Sequence, residues 1–306
     1  MCELSRIILK RLVKVFLGVF FLLSAAAKLS AMESFELYIF SFGFAGFDIC
    51  AIAARVLIIA EFIIGICMVF NLCYRYVKWV TAAFLAGFSI FLLWRAIIGD
   101  AESCHCMGDI VDMTPAQSLI KNAVMGCLLS YAWNHDGKSM HRQNLAASLA
   151  LTVVTLMIFI VSPPDFYYRR SSDSNDLDTE SFLPVADSLG LSSGRRVICF
   201  YSVTCEHCMH CASKMAGIIK RHSIPSESVH VVFMQTHENQ DSVATAFFSE
   251  SGEGVVLPSD YLHPFSFIPL TNGSMPLVVL YEEGKKIKEY DYISIDENEI
   301  ASFIIN

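Results

Sequence analysis

Apolar residues dominate the first half of the chain in long unbroken runs, at about 7–28, 50–72, 77–98, 117–133 and 145–163. Crossing ~30 Å of hydrocarbon takes about 20 residues of helix, so these runs predict five transmembrane helices. The stretch 35–47, FELYIFSFGFAGF, is apolar but short and aromatic, and reads as an interfacial or re-entrant segment. After residue 163 the texture changes. Residues 164–194 are rich in Ser and Asp with little to bury, which reads as a linker. From Arg195 the runs are short and β-rich: RVICFYS and SVHVVFMQT read as strands, PLVVLYEEGKKIKEYDYI as a hairpin, and DENEIASFII as a closing helix. The predicted organisation is an α-helical membrane bundle of about five transmembrane helices, then an α/β domain. Its parts are a membrane domain over 1–134, a cytoplasmic loop and fifth helix over 135–163, a linker over 164–194 and a compact domain over 195–306.

Composition agrees with a chain partly solvated by lipid. Of its 306 residues 54% are hydrophobic and 17% charged, against roughly a quarter charged in soluble domains. A net charge of −8 argues against a nucleic-acid partner, since phosphate binding needs clustered Lys and Arg. The start, RIILKRLVKVFLGVFFLLSAAA, also has the form of a signal peptide, but four further apolar runs favour an uncleaved first helix. Lys and Arg in short loops set orientation. Arg6, Lys10, Arg11 and Lys14 hold the N-terminus inside, Arg75 and Lys78 mark an inner loop, as do Lys138 and Arg142, and the acidic segment 99–116 falls outside. Five crossings then put everything after Pro163 outside, in an oxidising compartment where disulfides persist.

That placement gives meaning to FYSVTCEHCMHC, residues 200–211. A buried-looking strand runs into Cys-x-x-Cys at the start of a helix, where backbone N–H groups and the helix dipole favour negative charge. Cys205 is the expected nucleophile, Cys208, one turn deeper, the resolving thiol, and a protonated His207 would stabilise the Cys205 thiolate. Zinc or copper binding by Cys205, Cys208, His207, His210 and Cys211 is the competing reading, but on one helix these side chains fan around more than half the circumference, and no metal ligand set is assigned. Cys211 reads as a packed thiol and Cys199 as core. Here the tail resembles the thioredoxin fold: VICFYSVTCEHC is similar to its first core strand and active-site turn, and SMPLVVLYEEGKKI to its cis-proline and following hairpin. The resemblance implies that Met275 and Pro276 face the cysteine pair and hold the partner's chain. Glu206-His207 departs from the usual thioredoxin Gly-Pro, which leaves the direction of electron flow open.

A second pair, Cys104 and Cys106 in ESCHCMGDIVDMTPAQSLIKNAVMG, precedes the fourth helix, whose first turn suits Pro115. A disulfide across one intervening residue closes a small ring and is readily reduced, which suits an exchange partner; a free pair, or a metal contact with His105, is the alternative. By helical rise Lys28, Arg55 and Arg95 lie within about 10 Å of the outer surface. They either face the Cys104–Cys106 segment and favour its thiolates or snorkel to headgroups. Glu61 falls near mid-membrane, where a carboxylate is neutral, paired across helices or part of a proton relay. FLLSAAAKLSAMESFELYIF, AEFIIGICMVF and CHCMGD followed by LIKNAVM resemble the methylamine utilisation protein MauE family within the DoxX-like group. The resemblance covers about residues 7–134 and falls on Lys28, Glu61 with Gly65, and Cys104, Cys106 and Gly108, with Met107 where the family often has an aromatic residue. It implies a membrane protein supporting disulfide handling outside the membrane.

The expected function is membrane-bound thiol–disulfide exchange between Cys205/Cys208 and Cys104/Cys106, in a multi-pass protein of the bacterial cytoplasmic membrane with its tail in the periplasm. Expected partners are membrane lipid and extracytoplasmic protein thiols or disulfides, with a membrane quinone as a candidate at one end. Three rivals stand beside it. A quinone-linked disulfide generator resembling vitamin K epoxide reductase needs a membrane Cys-x-x-Cys, and residues 1–163 hold only Cys-x-Cys. A metallochaperone would carry copper or zinc on the Cys/His cluster. A scaffold would use the tail only to dock partners.

Overall fold

The computed structural model describes residues 2–98, 113–134, 141–169, 194–235, 240–251, 255–283 and 285–305. The chain forms two compact units, Met1–Glu36 with Ile52–Pro163, and Leu37–Ala51 with Pro164–Asn306.

The first unit is helical. Its elements are α1 (Cys2–Ser30), the start of α2 (Met32–Ser41), most of α3 (Phe47–Val69), α4 (Tyr74–Ile98), α5 (Pro115–Ala132) and α6 (His141–Val161). Four helices, at Leu4–Ser30, Phe47–Val69, Tyr74–Ile97 and Gln143–Val161, are long and apolar enough to cross a membrane. The chain is thus a multi-pass membrane protein. The remaining expected span is the 18-residue α5, which carries Gln117, Lys121 and Asn122 and is less apolar than the others. It packs beside α4 and α1. A capping box between Thr114 and Gln117, with Pro115 at the first helical position, starts it where the sequence suggests.

Two glycines set the α1–α3 crossing. A Cβ on Gly18 would lie 2.8 Å from the Gly65 carbonyl oxygen, and one on Gly65 would lie 2.7 Å from Leu22 Cγ, so the helices meet backbone to backbone. Around this contact Leu17, Phe21, Ile64, Met68, Leu85, Met125 and Leu129 form the apolar core. At one end Lys14 donates to Asn71 Oδ1 at 2.9 Å and lies 3.4 Å from the Tyr74 ring centroid. The Tyr74 hydroxyl donates to the Ala132 carbonyl at 3.2 Å and Lys78 to that of Trp133 at 3.3 Å. Lys14 and Lys78, read from sequence as topological signals, thus tie the N-terminal half of α1, the α3–α4 turn and the end of α5 to the same end of this unit.

The second unit holds a five-stranded sheet. After a single turn, α7 (Phe166–Arg169), come β1 (Arg195–Tyr201), α8 (Glu206–His222), β2 (Val229–Met234), α9 (Gln240–Glu250), β3 (Ser259–Leu262), α10 (Pro264–Thr271), β4 (Leu277–Glu282), β5 (Lys285–Asp291) and α11 (Glu297–Ile305). The strand order is β3-β2-β1-β4-β5, with β1 parallel to β2, β2 parallel to β3, and β4 antiparallel to both β1 and β5. This is the thioredoxin-like order, with β1 at the centre. Residues 197–201 are therefore apolar on both faces. Val197, Cys199 and Tyr201 join the larger core with α8 and α11, and Ile198 and Phe200 pack against Phe267 on the other side.

Residues 37–51 belong to this unit, which their aromatic texture alone did not disclose. Leu37, Phe40, Phe47 and Cys50 enter the same apolar cluster as Met215, Ile218 and Ile219. Gly217 leaves room for the Phe40 ring, since a Cβ there would run into it. Glu297 accepts the Phe47 N–H at 2.8 Å, Arg221 Nε at 2.9 Å, and faces His222 Nε2 at 2.8 Å. The segment read from sequence as interfacial or re-entrant packs Leu37, Phe40 and Phe47 into this core, while Phe44 stays 75% exposed.

Candidate redox site

The cysteine pair stands where the central strand ends. β1 stops at Tyr201, and a turn closed by the Cys205 N–H on the Ser202 carbonyl (3.1 Å) delivers Cys205 as the N-cap of α8. Its backbone is extended (φ −97°, ψ 115°), and Sγ accepts the Cys208 N–H at 3.3 Å. Sulfur thus fills the place that Ser or Asp takes in an ordinary cap, facing the positive end of the helix. Cys205 is half-buried, whereas Cys208 is fully buried with its Sγ accepting the Ser202 N–H at 3.5 Å. Burial first, then the hydrogen bond with Cys205, pushes the Cys208 thiol well above the ordinary range. The two thiols are inequivalent: one meets solvent at a helix mouth, and the other is held neutral one turn below.

The Met275–Pro276 bond is cis. Because Phe200 pairs with Leu277 across the antiparallel β1–β4 ladder, Pro276 lies level with Tyr201, at the end of the sheet from which the cysteine turn springs. Met275 packs against both apolar clusters. His207 is exposed, and its ring faces His210 (centroids 6.5 Å apart) and Tyr292 (6.2 Å). Among the described residues it makes no hydrogen bond to Cys205, so its expected action on that thiolate is not carried by direct contact. Cys208 and Cys211 point into the core while the two imidazoles lie over Tyr292, the divergence that helical geometry demands of these positions.

Behind the pair lies a buried thiol cluster. The Tyr201 hydroxyl donates to Cys211 Sγ at 3.5 Å. Burial pushes the Cys211 thiol up to about 12, and raises those of Cys199 and Tyr201 well above their ordinary ranges. These groups pack and stay protonated.

In the first unit, the Lys28 ammonium meets both Glu61 oxygens at 2.9 Å and Ser24 Oγ at 2.7 Å. Arg55 binds Glu36 at 2.5 Å and the Ser162 carbonyl at 2.8 Å. Both cations are buried, and their charges end on carboxylates rather than reaching for headgroups. Arg95, in the last turn of α4, is buried as well. Cys104 and Cys106 lie outside the described residues, as do Lys138 and most of the expected linker. The sequence reading did not single out Glu36, Asn122, Lys121 or Lys214. Charged or amide residues inside apolar runs were the available signal for the middle two.

Residues 6–134 match the family model described as methylamine utilisation protein MauE. The N-terminal part is a MauE-family domain. Protein TlpB of Flavobacterium psychrophilum is 22% identical over 338 aligned positions, covering 92% of this chain and 91% of TlpB. Among solved structures, a secreted Mycobacterium tuberculosis disulfide oxidoreductase homologous to E. coli DsbE aligns at 12% identity over 38% of this chain and 84% of its own, with a TM-score of 0.29. At that score the thioredoxin-like character of the C-terminal unit rests on its strand order and its cysteine turn.

Proposed function

We propose that this chain is a membrane-bound thiol–disulfide oxidoreductase that exchanges reducing equivalents between Cys205/Cys208 and the Cys104/Cys106 pair of the MauE domain, on the extracytoplasmic side of the membrane. The observation that carries the reading is the asymmetric dithiol: Cys205 Sγ capping α8 at 3.3 Å from the Cys208 N–H, with Cys208 buried beneath it. TlpB supports it by matching across nearly the whole of this chain, so both halves recur together in one relative.

The step balances within the sulfur atoms. A Cys205 thiolate attacks a partner disulfide, forming a mixed disulfide and releasing one partner thiolate. Cys208 then attacks Cys205 Sγ, breaks the mixed bond and gives its proton to the sulfur set free. Two electrons and the Cys208 proton pass to the partner, whose other thiolate takes from water the proton that Cys205 gave up on ionising, and Cys205–Cys208 becomes the disulfide. Because the steps reverse, the same site serves either direction.

The test is a trap. In Cys208→Ser the mixed disulfide cannot resolve, so Cys205 should be found linked to Cys104 or Cys106 by non-reducing peptide mapping. Absence of any Cys205-linked species under both oxidising and reducing shock would overturn the relay.

A further inference from the structure

We propose that the MauE domain holds the headgroup of a lipid-soluble quinone where two adjoining cavities meet at Leu85 and Asn122. The first is a chamber of about 20 Å³, whose polar lining is Ser24, Lys28, Glu61, Lys121 and Asn122. Phe20, Phe21, Phe84 and Phe88 line it as well. The second is a groove of about 400 Å³ along α4 and α5, whose lining includes Ala82, Ala86, Ala123, Gly126 and Trp133. Leu85 and Asn122 line both. The groove falls in the roughly 300–1,000 Å³ range of small-molecule sites, and the chamber has room for about one water or one ligand oxygen.

The polar wall is built to receive an acceptor. Lys28 is matched by Glu61, but among the described residues Lys121 makes no ion pair or hydrogen bond and only approaches the Phe20 ring, at 5.8 Å. Among the described residues that line the chamber, Lys28 and Lys121 are the cationic side chains and Glu61 the carboxylate. Asn122 is 5% exposed, and its one hydrogen bond among the described residues runs from Nδ2 to Ser89 Oγ at 3.2 Å. A ligand for this place has an apolar tail, a flat body and an electron-rich oxygen on its end. A carbonyl of a quinone ring seated at Leu85 would enter the chamber toward Lys121 and Asn122, leaving the isoprenoid tail to the groove.

The inference rests on the exchange reading, which needs a two-electron partner in the membrane. A dithiol gives two electrons and two protons and becomes a disulfide; the quinone takes them and becomes a quinol. By helical rise, Phe88 lies about 15 Å along α4 from Ile98, and Lys121 about 9 Å along α5 from Pro115, so the chamber lies near the middle of α4 and beside the first half of α5.

The test uses the full chain in nanodiscs with decylubiquinone as the probe, binding measured by equilibrium dialysis. Gly126 lines the groove and a Cβ there meets nothing within 4 Å, so Gly126→Leu puts an apolar side chain at the proposed seat. Gly126→Leu and Asn122→Leu should each weaken binding about tenfold or more, with melting temperatures near that of the parent. Unchanged affinity in both variants would overturn the site, and so would complete displacement of the probe by phosphatidylglycerol at matching concentration, which would make the groove a lipid seat. Cys104→Ser/Cys106→Ser separates the two ideas. Binding retained with thiol oxidation lost supports both; binding retained while the parent oxidises no thiol upholds the site and defeats the exchange reading.

Discussion

Lys28 on α1 and Glu61 on α3 form an ion pair inside the MauE domain, with the ammonium 2.9 Å from both carboxylate oxygens and neither side chain more than 8% exposed. The Gly18–Gly65 contact makes it reachable by letting the helices touch. Charges removed from water are costly unless matched, so losing one partner leaves the other stranded. Glu61→Gln should destabilise the domain by about 3–5 kcal/mol, while Lys28→Met with Glu61→Met should recover most of that loss. Melting in detergent, followed by size-exclusion of the heated protein, checks it. Equal losses in the single and double variants would show that the pair is not the source.

The inequality of Cys205 and Cys208 predicts selective alkylation. At neutral pH iodoacetamide should label Cys205, with Cys208, Cys199 and Cys211 modified about tenfold more slowly or less. Peptide mapping by mass spectrometry on the reduced protein reads this directly. Comparable labelling of Cys208 would contradict its burial and the raised proton affinity that follows from it.

Much of this site was readable in advance because it is local. Strand, turn, Cys-x-x-Cys and helix follow one another over residues 197–222, and the hairpin after Pro276 is also continuous in the chain. The second unit's other component was not readable. Residues 37–51 reach Met215, Gly217 and Glu297 across more than 160 positions of sequence, and nothing in FELYIFSFGFAGF separates an aromatic side chain bound for lipid from one bound for a protein core. The charges within apolar runs were legible as costly. Their partners were only partly so: the family pattern drew attention to Glu61, whereas Glu36 sits in an aromatic stretch where nothing in the sequence marks it as the partner of Arg55.

Cys211 makes stability depend on alkaline pH. An unfolded thiol titrates near its ordinary 9.0, and in the fold burial pushes this one up to about 12. The folded state thus keeps a proton that the unfolded chain loses. The contribution is full below pH 9.0 and drains away as pH rises toward about 12, because unfolding then releases the proton. Cys211→Ala should lower stability at neutral pH by about 1 kcal/mol through the lost packing, yet make the decline above pH 9.0 shallower. Denaturant midpoints at pH 7 and at pH 10 give both numbers, and parallel curves for parent and variant would refute the assignment.

Lys214 is fully buried on α8, with Nζ 2.9 Å from Asp165 and 3.8 Å from the centroid of the Phe47 ring. Its charge needs that carboxylate, but its stem needs only an apolar surface. Asp165→Asn should therefore cost about 3–5 kcal/mol, and Lys214→Met about 1 kcal/mol or less, since methionine keeps the contact with Phe47 and removes the charge. Urea unfolding followed by tyrosine absorbance distinguishes them. A larger loss in Lys214→Met than in Asp165→Asn would reverse the logic.

Two helix glycines that look alike in sequence, Gly65 at the α1–α3 crossing and Gly87 on α4, meet opposite surroundings. In Gly65→Ala the new methyl would meet the Gly18 carbonyl oxygen at 2.8 Å and Leu22 at 2.7 Å, and the carbonyl cannot swing aside without opening the α1–α3 contact. Separating the helices also pulls Lys28 from Glu61, so the cost should exceed overpacking alone and reach about 3 kcal/mol. On α4, a Cβ at Gly87 meets nothing within 4 Å. Gly87→Ala should then gain about 0.5–1 kcal/mol by restricting the unfolded backbone in an otherwise helical run. Melting temperatures of the two variants in the same detergent should move in opposite directions. A neutral Gly65→Ala would mean that α1 and α3 do not cross at these residues, and the geometry offered for the Lys28–Glu61 pair would fail with it.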